Sequence, residues 1–534
     1  MTRRRRIARR AALLGLAACV GAPAASLAQP AAGAVKPRTV AEDLMMFSQV
    51  FNQLRVNHPD SLDSHKLIMA AITGMVQAAD PHSYVVTSYR LQPEKEKLRR
   101  DGKLVPVPVA FSYVGGAPVV VGVVPGSAAA SADILPGDEL VAVDGKPVTA
   151  ESELELELAL AGARRTSVAL TLERRRGDGS LATLQRTVTR ERTDEITAVP
   201  VATMLDATTG YVRITAFENL KVADDVHDAL GRLEKAGMTR LVLDLRDNPG
   251  GIVSEAAKVA GEFLPKGTLL YTQAGRKKEV ADTGRVERSF WSREKRYPMV
   301  LLVNEGSASA SELVAGALQD HDRALLVGRA TFGKSLLMQG FPLADGSMMM
   351  LVIGQVRTPC GRVVQREYHD LTTREYYRQA RAQRDTAGRP SCRTDGGRVV
   401  YGGGGVVPDV RLGEREPAPV WLARLDELQL PLQWAGAHVT EHAAAYPSLD
   451  ALAADPTLAS DALASFRAFA RGQGAEVPDG AEADRMLERR LLLRVAATKW
   501  GGEGYYRLAA RLDPEVDAAR AAFDEAQRIL AATP

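Results

Sequence analysis

Two short apolar runs on either side of a turn of small residues constrain this chain more than any other feature. Residues 299–303 (MVLLV) have the length and composition of a buried strand, and residues 313–320 (LVAGALQD) place their apolar side chains on one helical face. The turn between them contains Ser309. A serine at a strand-to-helix turn is exposed, and the free N–H groups of the helix face whatever it contacts. The pattern therefore predicts an α/β core that presents Ser309 as a candidate nucleophile.

A further apolar run, residues 324–327 (ALLV), leads towards a lysine with apolar neighbours. Lys334 lies between Phe332 and Leu336 in the sequence. A lysine held among apolar groups favours its neutral form, and a neutral lysine can accept a proton from a serine. The two regions together predict a Ser/Lys pair formed by Ser309 and Lys334.

The residues alone leave two alternatives open. Ser309 and Glu312 form the S-x-x-E pattern of an ordinary helix capping box, in which the serine has no catalytic role. In addition, Ser307 and Ser311 flank Ser309, and spacing does not distinguish the three hydroxyl groups as nucleophiles.

The motifs and their order resemble the carboxyl-terminal processing peptidases, or tail-specific proteases, which are serine peptidases with a Ser/Lys dyad. The resemblance covers residues 40–412, most of the chain that follows the leader. It rests on DPHS (80–83), GYVRITAF (210–217), LVLDLRDNPGG (241–251), GSASASE (306–312), TFGK (331–334) and YGGGGVVPD (401–409).

The resemblance implies that Ser309 is the nucleophile and Lys334 the base, with no cofactor and no metal. It also implies an oxyanion hole formed by the Ala310 N–H and by a glycine N–H, for which Gly251 is preferred over Gly250. Such donors typically contribute about 3 kcal/mol each in the transition state. The alternative is that the two glycines make only a tight turn.

The third member of the site departs from the family pattern. Relatives commonly carry a glutamine four positions after the lysine, whereas this chain has Met338 there, followed by Gln339. Methionine is a poor acceptor for a lysine N–H. Either the register shifts by one residue to Gln339, or Glu312 orients the lysine. His82 is not expected to act as the base, because its turn lies far upstream on a separate element.

The implied architecture is α/β: a crotonase-like or Clp-like β-superhelix protease core with an inserted-type PDZ domain and helical N- and C-terminal segments. The PDZ resemblance rests on PVVVGVV (118–124), LPGD (135–138) and VAVDG (141–145). PDZ domains add a peptide as an extra strand and hold its carboxylate in backbone N–H groups. The carboxylate loop departs from the family, because FSYVGG (111–116) replaces the usual Gly-Ile-Gly-like turn. The predicted parts are 1–28 (signal peptide), 36–103 (N-terminal helical segment), 104–192 (PDZ domain), 193–430 (protease core) and 431–534 (C-terminal helical domain).

Residues 1–28 are typical of an export signal, with an arginine-rich start, an apolar run and small residues before the cleavage site. Cleavage after Ala28 is favoured, because small and apolar residues continue past Cys19. The alternative is lipid attachment at Cys19, within a lipobox-like LAAC. The predicted destination is the bacterial periplasm. Without the six arginines of the leader the formal net charge falls from +3 to −3, so the charge does not indicate a nucleic-acid partner.

Besides Cys19, the chain has two cysteines, Cys360 and Cys392. Two cysteines in an oxidising compartment predict one disulfide, and a pair of free buried cysteines is the alternative. The scattered histidines and cysteines do not have the spacing of metal ligands.

The sequence thus predicts an exported serine endopeptidase that cuts proteins at or near their C-terminus, with a PDZ domain that binds the tail of the substrate. The alternative is a catalytically inactive PDZ scaffold that captures protein C-termini. The expected partners are protein substrates and not nucleic acid. Whether an adaptor or regulator lipoprotein is needed, and whether the chain forms a homo-oligomer, stays open.

Overall fold

The computed structural model describes residues 38–532 apart from 81, 113–116, 125–126, 136, 151, 177–179, 193–196, 277–282, 288–292 and 369–385. The predicted leader, 1–28, with both of its processing alternatives and Cys19, lies outside the described residues. Residues 113–116 of the loop expected to hold a peptide carboxylate also lie outside them. The chain divides into two units, residues 1–71 and 72–534, which are described separately.

Helices and strands alternate along most of the described chain. The described helices are α1 (Val40–Asn57), α2 (Ser64–Ala79), α3 (Ser88–Leu91), α4 (Pro93–Arg100), α5 (Ala128–Ser131), α6 (Glu153–Leu160), α7 (Val222–Lys235), α8 (Val253–Gly261), α9 (Ala310–Asp320), α10 (Val420–Glu427), α11 (Leu430–Glu441), α12 (Leu449–Ala454), α13 (Ala462–Gly472), α14 (Ala481–Arg511), α15 (Pro514–Ala521) and α16 (Phe523–Ala532). The described strands are β1 (Tyr84–Val86), β2 (Val109–Ser112), β3 (Val119–Val123), β4 (Glu139–Val143), β5 (Lys146–Pro147), β6 (Ser167–Arg175), β7 (Leu181–Thr189), β8 (Val201–Met204), β9 (Thr209–Arg213), β10 (Arg240–Asp244), β11 (Leu269–Gly275), β12 (Thr283–Arg285), β13 (Met299–Val303), β14 (Leu325–Gly328), β15 (Leu336–Pro342), β16 (Met348–Arg357), β17 (Ser391–Arg393), β18 (Val399–Tyr401) and β19 (Val410–Arg411).

In the first unit, helix α1 begins with a complete capping box. The Thr39 hydroxyl accepts a hydrogen bond from the Glu42 N–H, and the Glu42 carboxylate accepts one from the Thr39 N–H at 2.7 Å. Both donors would otherwise lack partners at a helix start. The predicted helical periodicity of this region is thus realised in α1, and no residue of α1 is buried.

A six-stranded sheet forms the centre of the second unit. Its order is β19-β14-β13-β10-β9-β8, with parallel pairing throughout except for the antiparallel edge strand β8. Alternate residues of β13 face opposite sides, where Leu301 packs towards α7–α9 and Leu302 towards α14–α16. Burial on both faces is typical of parallel sheets and explains the continuous apolar runs. Because the strands are parallel, the carboxyl ends of β10, β13 and β14 meet at one edge.

A second sheet lies beside the first, with the order β1-β16-β11-β12 and with β15 paired to β16. Its long strand β16 therefore separates β1, which follows the DPHS turn, from β15, which follows Lys334.

Among the residues described, no helix is both long enough and apolar enough to cross a membrane.

Strands β2–β7 form a separate sheet that has the order β2-β3-β4-β6-β7, with β5 on β4. The sheet and helices α5 and α6 enclose a core that includes Val120, Leu140 and Leu170. Strand β3 also approaches the central part of the second unit. A Cβ atom on Gly122 would lie 3.1 Å from the Pro249 side chain, so the small residue permits this close contact.

The helices from residue 420 onwards fall into two groups. Helices α10–α14 enclose a core of their own around Trp434, Phe466 and Leu491. The end of α14 and helices α15 and α16 instead pack on the central sheet, where Val516 and Phe523 contact its buried face. This last part of the chain is therefore a layer of the α/β core.

The two cysteines outside the leader are bonded, as the sequence predicted: Cys360 and Cys392 form a disulfide across a separation of 32 residues. The segment that the bond closes is anchored beside α9, because the Cys360 N–H donates to Asp320 and the Arg362 guanidinium contacts the same carboxylate.

We expect the disulfide to stabilise the native state mainly by restricting the unfolded chain. For a closed loop of this length the chain-entropy model gives about 3–4 kcal/mol. The double variant Cys360→Ser/Cys392→Ser should lose that much free energy of unfolding in urea titrations, and limited proteolysis should cut between the two positions. Dithiothreitol should reproduce the effect in the wild type and change nothing in the variant. Two alkylatable thiols in the native oxidised protein would contradict the prediction.

Candidate active site

The turn between β13 and α9 holds Ser309 in a conformation that few non-glycine residues adopt. Ser309 is the residue before the helix, and its backbone has φ 54° and ψ −114°. Positive φ costs about 1–3 kcal/mol for such a residue and persists only where the surroundings impose it. The side chain is half-buried, so it stays accessible from one side.

The other two serines of the turn have structural roles. Ser307 and Ser311 are both 0% exposed. The Ser307 hydroxyl donates to the Leu245 carbonyl at 2.8 Å, and the Ser311 hydroxyl donates to the Asn248 carbonyl at 2.9 Å. Of the three hydroxyls, a substrate could reach only that of Ser309.

The loop after β10, residues 247–251, lies against the Ser309 turn. A Cβ atom on Gly250 would lie 2.9 Å from the Ser309 Cβ, so only glycine allows this approach. The Gly250 N–H donates to the Asn248 side-chain oxygen at 2.9 Å. By contrast, the N–H groups of Gly251 and Ala310 have no acceptor among the described residues. Two backbone donors, one in this loop and one at the start of α9, are thus open in the region of Ser309.

Two asparagines join this loop to the Ser309 turn. The Asn248 carbonyl accepts from the Ala308 N–H at 2.9 Å. The Asn304 side chain makes two hydrogen bonds to Asp247, one to its N–H and one to its carboxylate, both at 2.8 Å. Sequence patterns did not single out either asparagine. The available signal was position, because Asn304 directly follows the buried strand β13 and Asn248 lies four positions after the end of the neighbouring strand β10.

The Glu312 carboxylate joins the Ser309 turn to the loop that carries Lys334. It is buried, and it accepts four hydrogen bonds. Oε1 accepts from the Thr331 hydroxyl at 2.5 Å and from the Gly333 N–H at 2.7 Å. Oε2 accepts from the Ser309 N–H at 2.9 Å and from the Lys334 N–H at 2.7 Å. Burial raises the pKa of Glu312, and these donors oppose that effect. Glu312 therefore fixes Lys334 through its backbone.

Lys334 is half-buried and lies two positions before the first residue of β15, Leu336. On that strand Met338 is half-buried and Gln339 is exposed. The pairing of β15 with β16 shifts register between Leu337 and Met338. Within the described residues, Gln339 makes no hydrogen bond to Lys334.

The structure brings His82 close enough to Lys334 for their charges to interact, although its turn is distant in sequence. Burial and the positive charge of Lys334 lower the pKa of His82 to about 4. His82 is therefore neutral at neutral pH and a weak base. Its turn is held by Asp80, which accepts from the His82 N–H at 2.8 Å, and by Ser83, which accepts from the Val352 N–H on β16.

Comparison with known proteins identifies two family models and several relatives that resemble this chain. Residues 208–371 match the model of peptidase family S41, and residues 119–174 match a PDZ domain model. A carboxy-terminal-processing protease from Bartonella bacilliformis is 32% identical over 330 residues, which are 61% of this chain and 73% of that protein. A carboxyl-terminal-processing protease from Synechocystis is 34% identical over 251 residues, which are 46% of this chain and 54% of that protein.

Among solved structures, the photosystem II D1 C-terminal processing protease aligns with a TM-score of 0.49 at 26% identity. The alignment covers 69% of this chain and 92% of that one.

Replacement of Glu312 by glutamine should destabilise the protein. The amide keeps one acceptor oxygen, but its NH₂ group cannot accept, so two of the four donors lose their partner. An unsatisfied buried donor costs about 1–3 kcal/mol, so we expect Glu312→Gln to lower the free energy of unfolding by about 2 kcal/mol or more. Urea titration followed by circular dichroism measures the difference.

The matched control is Glu262→Gln, which removes a carboxylate whose side-chain partner, His227, is exposed. Its effect should stay below about 1 kcal/mol. Equal stability losses in the two variants would show that the four hydrogen bonds to Glu312 contribute no more to the free energy of unfolding than the contact between Glu262 and His227.

Proposed function

This chain belongs to peptidase family S41 and is a serine-type peptidase with a PDZ domain, and on that premise we propose that Ser309 is its nucleophile and Lys334 its general base. The observation that carries the proposal is the environment of Ser309. Ser309 offers the one reachable hydroxyl of its turn, in a strained conformation beside two open backbone donors. Ser307 and Ser311 are committed to structural hydrogen bonds.

In the proposed mechanism, Lys334 in its neutral form accepts the Ser309 proton as the hydroxyl oxygen attacks the substrate carbonyl. The carbonyl oxygen becomes negatively charged, and the N–H groups of Gly251 and Ala310 donate to it. Lys334 then gives its proton to the nitrogen of the scissile bond. The C–N bond breaks, the amine departs, and the acyl group stays bound to the Ser309 oxygen. Water, activated by the same lysine, releases the acyl group and restores the serine. Glu312 positions both partners, because one of its oxygens accepts from the N–H groups of Ser309 and Lys334.

The substrate class we propose is the C-terminal region of proteins. Two relatives are named as carboxyl-terminal processing proteases. A PDZ domain suits this task, because it binds a peptide as an added strand and holds its terminal carboxylate. The groove for the substrate tail would lie between helix α6 and strand β2, because β2 is an edge of its sheet and packs in the same core as α6.

The proposal also includes the finer architecture and location. We propose a crotonase-like or Clp-like β-superhelix core at 193–430, with the PDZ domain at 104–192 and helical segments at 36–103 and 431–534. We further propose export to the periplasm, which an oxidised pair of cysteines favours.

Substitution of single serines tests the assignment of the nucleophile. Ser309→Ala and Lys334→Ala should each lower the rate of peptide cleavage by more than about 1,000-fold with the fold intact, because nucleophile and base act as a unit. Ser307→Ala and Ser311→Ala should retain turnover, although each loses a buried hydrogen bond. Cleavage of an unfolded protein such as casein, with circular dichroism of each variant, provides the measurement.

Two outcomes would oppose the proposal. Residual activity in Ser309→Ala with none in Ser307→Ala or Ser311→Ala would show that one of the other two serines is the nucleophile. A wild-type protein that binds C-terminal peptides without cleaving any of them would support the inactive scaffold.

The free carboxylate of the substrate should matter for cleavage. A peptide that ends in a carboxylate should have a lower KM than the same peptide with a C-terminal amide, because the amide lacks the charge that backbone N–H groups hold. A protein without residues 104–192 is not a suitable control, because strand β3 contacts Pro249 beside the site. The matched control is a pair of peptides with an internal change of charge. Equal KM values for carboxylate and amide would exclude recognition of the terminus.

A further inference from the structure

A buried arginine follows strand β10 and joins the central sheet to the C-terminal helices. Arg246 is 2% exposed. Its guanidinium donates to both oxygens of Asp244, at 3.0 and 2.6 Å, and also to Asp513 at 2.8 Å and Glu515 at 2.6 Å. Asp513 and Glu515 lie at the start of α15, where the Asp513 side chain caps the helix. The residue directly after Arg246 is Asp247, the first of the loop that leads to Gly251.

Glu515 makes further contacts with the ends of other strands. Its Oε1 accepts from Arg329 at 2.7 Å, and Arg329 directly follows strand β14. Arg329 in turn donates to Glu305 at 3.0 Å, and Glu305 belongs to the turn that carries Ser309. Arg415, beyond strand β19, donates to both oxygens of Glu515 at 3.0 and 3.1 Å.

The Glu515 carboxylate is therefore connected to the start of all three loops of the site. Through Arg246 it contacts the loop of Gly251, through Arg329 the loop of Lys334, and through Arg329 and Glu305 the turn of Ser309. These are long-range contacts, because Glu515 and Arg246 are 269 residues apart in sequence.

We propose that Glu515, assisted by Asp513, is a positioning residue for the active site. It holds the strand ends from which the nucleophile, the base and the oxyanion donors extend. The inference rests on the proposed function, and it gives the start of helix α15 a role in the reaction beyond packing. Small errors in the placement of reacting groups are costly, since a displacement of about 1 Å can lower a rate about 100-fold.

The charge of Glu515 is present under all working conditions. Burial opposes its ionisation, but the hydrogen bond from Arg329 and the charges of Arg415 and Arg246 lower the pKa of Glu515 to about 2. A glutamine at this position therefore removes a charge that the wild type always carries, and it leaves Arg246 and Arg329 with fewer acceptors.

The test compares Glu515→Gln with Glu525→Gln, a matched change at an exposed glutamate on α16. Both variants, the wild type and Ser309→Ala are assayed with a small p-nitrophenyl ester, which needs the reacting groups but no long peptide site. Circular dichroism and thermal unfolding give the folded fraction of each protein at the assay temperature. We expect Glu515→Gln to be fully folded there, with kcat lowered about 10-fold or more and KM within about twofold. Glu525→Gln should match the wild type.

A second variant separates positioning from loss of stability. Glu515→Asp keeps the charge but shortens the side chain, so it should recover part of the lost kcat. The inference is overturned if Glu515→Gln has the kcat of the wild type, or if its activity falls only in proportion to its folded fraction. Equal hydrolysis by the wild type and Ser309→Ala would instead overturn the proposed function, and the inference with it.

Discussion

The parallel pairing of β10, β13 and β14 is the constraint on which the rest of the site depends. Parallel strands deliver their carboxyl ends to one edge of the sheet, so three loops that are far apart in sequence emerge side by side. Hydrogen bonds then fix the loops to each other. The Asn248 carbonyl and the Asn304 side chain join the first loop to the second, and the Glu312 side chain joins the second to the third. Each of these three residues is buried, so water does not compete for their hydrogen bonds.

Those contacts also explain how the strained backbone of Ser309 can persist. A positive φ at a serine costs about 1–3 kcal/mol. The Ser309 N–H donates to Glu312, whose other bonds are fixed by Thr331 and Gly333. Releasing the strain would break a hydrogen bond to a buried carboxylate, which contributes about 1.5–3 kcal/mol. The conformation that exposes the hydroxyl is therefore set by residues from the neighbouring loop.

Much of the local structure could be predicted from sequence, since strands β10, β13 and β14 are short apolar runs and the S-x-x-E pattern marks the start of α9. The disulfide also followed from the cysteine count. Helix α7 begins at Val222, because the Asn219 side chain accepts from the Lys221 N–H in a preceding turn and does not cap the helix. The proximity of His82 to Lys334, and the contacts of Arg246 with Glu515, arise from pairing across hundreds of residues. No local pattern encodes them, so sequence periodicity could not reveal them.

The position of the C-terminal helices completes the physical account of the core. One face of the central sheet is covered by α7–α9, and the other would expose Val242, Val300 and Leu302 without α15 and α16. A parallel sheet requires apolar cover on both faces. The network around Arg246 forms in the same interface, where desolvated charges are tolerated only because each has several partners. Residues 510–532 therefore cover one face of the sheet and, through Asp513 and Glu515, also contact the residues that follow its strands.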